Sequence, residues 1–225
     1  MTDIFKLKSK IDGFEFTALH AHPAGARRGG VIVIQEVLGI NEDIKRDVER
    51  WASLGFEVIA PSMFDRQDYG FVANHDAAGL QLGFKYADEN GDDNPISDVQ
   101  ACIDALKNKG PVYLVGYCYG GTITWRAAAR TKGLAAASSY YGAGVAASAN
   151  LQPSCPIICH FGANDPYISA GESKAAIKAA HPGVEVYVYG NSGHGFNNEG
   201  PDADPTDVKT ARERTLALFE ANSGG

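Results

Sequence analysis

One ten-residue stretch, residues 112–121, constrains the fold more than any other part of the chain. Its sequence is VYLVGYCYGG, which opens with an apolar run typical of a strand buried on both faces. Residues 122–131 then favour a helix. The stretch therefore matches a strand–turn–helix elbow of the form G-x-nucleophile-x-G, with Cys118 where serine is usual.

The elbow predicts a reactive role for Cys118. Gly116 and Gly120 let the chain turn sharply, because a side chain at either position would crowd the neighbouring backbone. The turn places Cys118 at a helix N-terminus, where unpaired amides and the helix dipole stabilise a thiolate or an oxyanion. The alternative is a cysteine that is simply buried beside a glycine turn, since cysteine is often buried. The strand–turn–helix context favours the nucleophile.

The size and charge of the chain narrow the possible functions. Its 225 residues, 44% hydrophobic and 21% charged, suffice for one large α/β domain. A net charge of −7 argues against nucleic acid or an anionic membrane as a partner. No stretch approaches the roughly 20 apolar residues of a membrane span, and the N-terminal sequence lacks a signal-peptide pattern. Because a candidate thiolate suits a reducing compartment, we expect a cytoplasmic protein.

Strands and helices alternate along the chain. Short strands at residues 4–7 and 15–22 predict an antiparallel edge. Further strands are predicted at residues 31–34, 57–60, 112–115, 134–141, 156–161 and 185–189. Helices are predicted after Asn41 and Pro95, within 76–87, and over 122–131, 169–180 and 206–221. This alternation predicts a mostly parallel sheet with helices on both faces. Residues 63–94, rich in aromatic side chains, are predicted to form a lid segment beside the substrate pocket.

Four side chains with acid–base or nucleophilic chemistry follow predicted strands: Glu36, Cys118, Asp165 and His194. Because reacting groups gather at the carboxyl ends of parallel strands, we expect these four to lie close together. The order nucleophile, acid, histidine is the one that hydrolases with such an elbow use. His194 can accept the thiol proton, and Asp165 can fix the tautomer of the imidazole.

Each of these signals also has a purely structural explanation. Asp165 precedes a proline and could initiate a turn, while His194 could lie in a solvated glycine loop. His20 and His22, on an early strand, show no sign of a role. The C-x₃-C-H pattern at residues 155–160 lies along a strand whose side chains alternate between faces, so it predicts core packing rather than a metal site. No glycine-rich phosphate loop follows a strand, and we expect neither metal nor organic cofactor.

The motifs around the four side chains resemble those of the dienelactone hydrolase family. They are QEV at 35–37, GYCYGG at 116–121, GAND at 162–165 and GHGF at 193–196, and the resemblance extends over essentially the whole chain. It implies a single-domain α/β-hydrolase fold over residues 1–225. It also implies carboxymethylenebutenolidase activity, the hydrolysis of dienelactone to maleylacetate, without a cofactor.

The resemblance further implies a role for each residue of the site. Cys118, Asp165 and His194 would form the triad, and the backbone amides of Val37 and Tyr119 would form the oxyanion hole. Glu36 would hold the resting thiol and help to generate the thiolate once substrate displaces it. Such a guard makes physical sense because an exposed thiolate is easily oxidised. The alternative is a strand-end glutamate in a local cap or surface ion pair.

The substrate-binding positions depart from the family pattern. The best-studied type of enzyme in the family grips a substrate carboxylate with two arginines, one in the lid and one four residues after the catalytic histidine. Here the second position is Asn198, the lid position falls near residues 80–81, and Arg66 is the only arginine between residues 57 and 118. Neutral amides replace bidentate arginine poorly. The candidates for the substrate pocket are Arg66, Tyr69, Gln81 and Asn198.

The sequence therefore predicts a monomeric hydrolase of a small ester or lactone that acts through a Cys118 acyl-enzyme. One alternative is an esterase of the same mechanism on a neutral ester, which the missing arginines favour. Another is a thiol-redox or binding protein on the same scaffold that hydrolyses nothing.

Overall fold

The chain forms alternating strands and helices, and the structure, a computed structural model, describes residues 2–201 and 203–224. The strands are β1 (Thr2–Lys8), β2 (Glu15–Ala21), β3 (Gly29–Ile34), β4 (Phe56–Pro61), β5 (Val112–Tyr117), β6 (Ala136–Tyr140), β7 (Ile157–Gly162) and β8 (Glu185–Tyr189). The helices are α1 (Glu42–Ser53), α2 (Ala77–Asn90), α3 (Asp93–Leu106), α4 (Tyr119–Arg130), α5 (Ala170–Ala180) and α6 (Pro205–Ala221).

The eight strands form one sheet in the order β1-β2-β4-β3-β5-β6-β7-β8. The predicted antiparallel edge is confirmed, since β2 pairs antiparallel with both β1 and β4, and every other pairing is parallel. Every residue of β3, β4, β5, β6 and β7 is buried. The fold is thus the predicted single-domain α/β architecture.

Polar side chains fix where the helices begin. Asn41 accepts a hydrogen bond from the amide of Ile44 at the start of α1, as predicted, and Ser169 and Asp204 cap α5 and α6 in the same way.

One boundary differs from the sequence prediction. The polar run at residues 88–94 is largely helical, because α2 continues to Asn90 and α3 begins at Asp93, ahead of Pro95.

The lid segment, residues 63–94, packs on the loop that follows β3. Gly39 and Val72 form an isolated bridge, and the amide of Ala73 donates to the carbonyl of Leu38 at 3.0 Å. Helix α2 approaches the same loop so closely at Gly83 that a Cβ there would lie 2.1 Å from the carbonyl oxygen of Val37. The lid segment therefore borders the backbone that the sequence assigns to the oxyanion hole.

None of the helices within residues 2–201 and 203–224 combines the length and the apolar character needed to cross a membrane. Cys159 is fully buried, as its predicted core packing requires, and Cys102 is fully buried as well.

Candidate active site

The elbow between β5 and α4 holds Cys118 in a strained conformation. Cys118 has φ 54°, a left-handed value that non-glycine residues rarely adopt. A Cβ on Gly116 would lie 2.1 Å from the carbonyl oxygen of Gly120, and one on Gly120 would lie 2.4 Å from that of Ile34. Both glycines are therefore required for the turn, and α4 begins directly after Cys118, at Tyr119. The predicted strand–turn–helix geometry is present.

Asp165 and His194 form a close pair at the ends of β7 and β8. Nδ1 of His194 lies 2.7 Å from Oδ2 of Asp165, whose side chain is fully buried. The other oxygen of Asp165, Oδ1, accepts the amide hydrogens of Tyr167 and Ile168 at 2.8 and 3.1 Å. Asp165 therefore acts both as a turn residue and as the partner of His194, because one oxygen accepts the turn amides and the other bonds the imidazole.

The loops after β7 and β8, which carry Asp165 and His194, pack closely against each other. A Cβ on Gly162 would lie 2.4 Å from the carbonyl oxygen of Ser192, so only glycine allows this approach. The amide of Asn164 also donates to that oxygen at 3.0 Å. The Ser192 hydroxyl in turn donates to Asp207 of α6 at 3.0 Å. The closing helix therefore sets the position of the loop that bears His194.

Electrostatics around His194 favour its protonated form. Burial opposes the charged imidazolium, but hydrogen bonding to Asp165 and to the Cys118 thiol outweighs burial and raises the pKa of His194 to about 10. The hydrogen bond that the imidazole forms among the described residues is the one from Nδ1 to Asp165.

Glu36 lies at the end of β3, buried, with 6% of its surface exposed. Its Oε2 accepts a hydrogen bond of 2.9 Å from Nδ2 of Asn198, whereas Oε1 has no hydrogen-bond partner among the described residues. Burial raises the pKa of this carboxyl, against the lowering effects of Asn198 and of nearby His194. The structure therefore does not bond Glu36 to the Cys118 thiol and bonds its carboxyl to Asn198 instead.

The two amides that the family resemblance assigns to the oxyanion hole have no hydrogen-bond acceptor among the described residues. Neither the Val37 nor the Tyr119 amide takes part in a hydrogen bond there. The carbonyl of Gln35 instead accepts the amide of Gly120 at 3.1 Å, which ties the loop after β3 to the first turn of α4. Two unpaired amides on adjoining segments are what an oxyanion requires.

The four predicted pocket residues have different surroundings. Asn198 is brought to the site, where it bonds Glu36. Arg66 is not, because its guanidinium binds Asp98 and Asp12 and lies over the ring of Phe14. Tyr69 and Gln81 are exposed on residues 63–94.

Sequence reasoning missed the aromatic residues beside His194. The ring of buried Tyr141 lies 5.1 Å from the imidazole, and that of Tyr167, which is 77% exposed, lies 5.4 Å from it at right angles. Tyr141 also has a left-handed φ of 37°. The signal for Tyr141 was its position at the end of a predicted strand, and Tyr167 lies two residues after the motif at 162–165.

Buried Gln35 was missed as well, although it belongs to a recognised motif. Its side chain accepts the amide of Met63 and donates to the carbonyl of Glu36, both at 3.2 Å. It therefore joins the loop after β3 to the start of the lid segment, a contact that no local pattern reveals.

Comparison with known proteins identifies relatives over most of the chain. The sequence model of the "Dienelactone hydrolase family" matches residues 16–223. The chain is 28% identical over 194 residues to the "Carboxymethylenebutenolidase" of Pseudomonas putida, covering 82% of each protein. It is 38% identical over 120 residues to the "Putative carboxymethylenebutenolidase" of Synechocystis, a match that covers 51% of this chain and only 48% of the relative.

A solved structure extends the similarity to the fold. The crystal structure of the "Putative Dienelactone Hydrolase" from Klebsiella pneumoniae superimposes with a TM-score of 0.83 at 26% identity. The superposition covers 98% of this chain and 99% of that one.

Proposed function

This chain belongs to the dienelactone hydrolase family and is a hydrolase of the kind that acts on esters or lactones, and we propose that it works through an acyl-enzyme on Cys118. The observation that carries the proposal is the 2.7 Å bond between His194 and Asp165 beside a cysteine elbow. The three groups come from three separate loops at one edge of the sheet, where the carboxyl ends of parallel strands bring reacting groups together.

The proposed reaction begins with attack of the Cys118 sulfur on the substrate carbonyl. The carbonyl oxygen becomes an oxyanion that the Val37 and Tyr119 amides stabilise. His194 gives its proton to the departing alkoxide, which leaves as an alcohol, and a thioester remains on Cys118. Water, deprotonated by His194, then attacks the thioester and releases the acid and the thiol. Asp165 holds the imidazole in the required tautomer throughout.

The proposed substrate is a small neutral ester or lactone rather than one bearing a carboxylate. The two groups that the sequence offers for carboxylate recognition are engaged elsewhere, since Arg66 is ion-paired with Asp98 and Asn198 bonds Glu36. The ring of Tyr167 beside His194 offers an apolar face to the substrate. We further propose that the protein acts as a cytoplasmic monomer, consistent with its reactive thiol.

The test is steady-state hydrolysis of dienelactone and of a neutral aryl ester by the wild type and by Cys118→Ala. The matched control is Cys155→Ala, which removes a half-buried cysteine that lies outside the proposed site. We expect Cys118→Ala to lower kcat/KM at least 10³-fold and Cys155→Ala to leave it unchanged. Full activity of Cys118→Ala would contradict the mechanism.

Two further outcomes concern the substrate and the alternative function. A preference for dienelactone over the neutral ester would refute the substrate proposal while leaving the mechanism intact. If neither compound is hydrolysed and Asp165→Asn does not alter alkylation of Cys118, the thiol-redox or binding alternative is favoured.

A further inference from the structure

A second cluster of reactive side chains lies on the two edge strands, outside the proposed active site. Asp3 of β1 pairs directly with His20 of β2, and His22 follows two residues later. Directly opposed residues on antiparallel strands share a face, as do residues two apart, so the three side chains project together. Within the described ranges they form the one group of histidine, cysteine and acidic residues whose donor atoms converge closely enough for a metal ion.

The distances between these donor atoms fit a tetrahedral ion. Oδ1 of Asp3 lies 3.2 Å from Nδ1 of His20 and 3.6 Å from Nε2 of His22. All three donors lie within 4.8 Å of one another. Metal–ligand bonds of about 2.0–2.1 Å in a tetrahedral site place ligands roughly 3.3–3.4 Å apart, so small side-chain rotations suffice.

The far side of His20 is held by a carboxylate. Nε2 of His20 lies 3.2 Å from Oε1 of Glu57, which is buried and also binds Lys109 and Arg27 at 2.8 and 2.7 Å. Carboxylates behind a histidine in this way are typical of metal-ligating imidazoles.

Two imidazole nitrogens face the same carboxylate oxygen of Asp3. When Nε2 of His20 donates to Glu57, Nδ1 carries a lone pair that faces the oxygen of Asp3. Nε2 of His22 faces the same oxygen of Asp3. A metal ion placed between the three atoms would accept a lone pair from each of them. The side chains of Asp3 and His22 are more than half exposed, so an ion has an open path of entry.

We propose that Asp3, His20 and His22 bind one Zn²⁺ ion through Oδ1, Nδ1 and Nε2 respectively, with solvent in the fourth position. Two imidazoles and one carboxylate suit a borderline ion such as Zn²⁺ better than Mg²⁺ or Ca²⁺, which prefer oxygen ligands. The ion would cross-link the outermost strand β1 to β2. The site involves no group of the proposed triad.

The test is titration of the full chain with ZnCl₂, followed by calorimetry, in a Cys118→Ala background that removes the competing thiol. His22→Ala and Asp3→Asn probe the ligands, and both positions are exposed enough to tolerate substitution. His75→Ala is the matched control, because His75 is an exposed histidine in a loop. A second readout is the imidazole ¹⁵N spectrum, in which Zn²⁺ should shift Nδ1 of His20 and Nε2 of His22.

We expect one equivalent of Zn²⁺ to bind, with affinity reduced at least tenfold by His22→Ala and by Asp3→Asn and unchanged by His75→Ala. MgCl₂ should give no saturable binding. The proposal is overturned if Zn²⁺ does not bind, if the two ligand variants bind it as tightly as their parent, or if Mg²⁺ binds equally well. In the first two cases Asp3, His20 and Glu57 form a hydrogen-bonded network that needs no metal ion.

Discussion

Replacing Glu36 with glutamine is expected to stabilise the protein at neutral pH while it slows hydrolysis. The carboxyl is 6% exposed and has one hydrogen bond, from Asn198, so its ionised form is poorly compensated. Glutamine has nearly the same shape, can keep an oxygen toward Asn198 and carries no charge. The substitution therefore removes a buried charge without opening a cavity.

The size of the effect follows from the charge that the substitution removes. An unsatisfied buried polar group costs about 1–3 kcal/mol and more when it is charged, and Oε1 of Glu36 has no partner among the described residues. Glutamine keeps the cost of a neutral buried group and loses that of the charge, so we expect a net gain of about 1–2 kcal/mol in the free energy of unfolding at neutral pH. For a chain of this length that gain corresponds to about 2–8 °C in Tm.

The pH dependence of this gain has a definite sign. Burial raises the pKa of Glu36 in the folded state above its usual value of 4.5. At pH values between 4.5 and the raised pKa of the folded state, the native state holds a proton that the unfolded state lacks. The stability of the wild type therefore falls as pH rises through this range. Below pH 4.5 both states are protonated, and the advantage of Glu36→Gln should disappear.

The assay is urea denaturation of the wild type and Glu36→Gln at several values between pH 4 and pH 8. Glu49→Gln, at an exposed position of α1, controls for the loss of one surface charge. The reasoning is refuted if Glu36→Gln is no more stable than the wild type at pH 8, or if its advantage is equally large at pH 4.

Three other substitutions test separate parts of the structure. Asp165→Asn should lower kcat/KM by roughly 10³–10⁴-fold. Loss of the Asp165 carboxylate should also lower the pKa of His194, which is about 10 in the wild type, as measured by a pH–rate profile or an NMR titration. An unchanged profile would contradict the pairing of the two residues. Gly120→Ala should lower stability by at least about 2 kcal/mol in urea denaturation, because its Cβ would lie 2.4 Å from a backbone oxygen of β3; a wild-type midpoint would show that the turn can relax. Thr215→Val should cost about 1–3 kcal/mol by the same assay, since its hydroxyl lies 3.2 Å from Nε2 of the buried His160, and Thr215→Ser should restore most of it.

Local chemistry explains why so much of the fold could be predicted. Asn41 and Ser169 lie at helix starts because their side chains accept backbone amides a few residues away, an interaction that a short stretch of sequence specifies. The apolar runs of the central strands are buried on both faces. The boundary between α2 and α3 was less predictable, because its polar residues suit both a loop and an exposed helix end.

The candidate site was predictable where a residue is fixed by the strand that it follows. Glu36, Cys118, Asp165 and His194 reach one edge because parallel strands must end there. Contacts made by neighbouring side chains follow no such rule. Arg66 pairs with Asp98, 32 positions away, and no local signal distinguishes that ion pair from a role in binding substrate.

The contact between Asn198 and Glu36, which are 162 positions apart, connects the predicted departure from the family pattern with the proposed substrate. An arginine at position 198 would present a cation beside the carboxyl, neutralise it and lower its pKa. Asparagine gives a single neutral hydrogen bond instead, so burial prevails and the pKa of Glu36 is raised. A carboxylate-bearing substrate would then find no cation at position 198, whereas a neutral ester needs none. The residue at position 198 therefore favours the neutral substrate through the absence of a guanidinium.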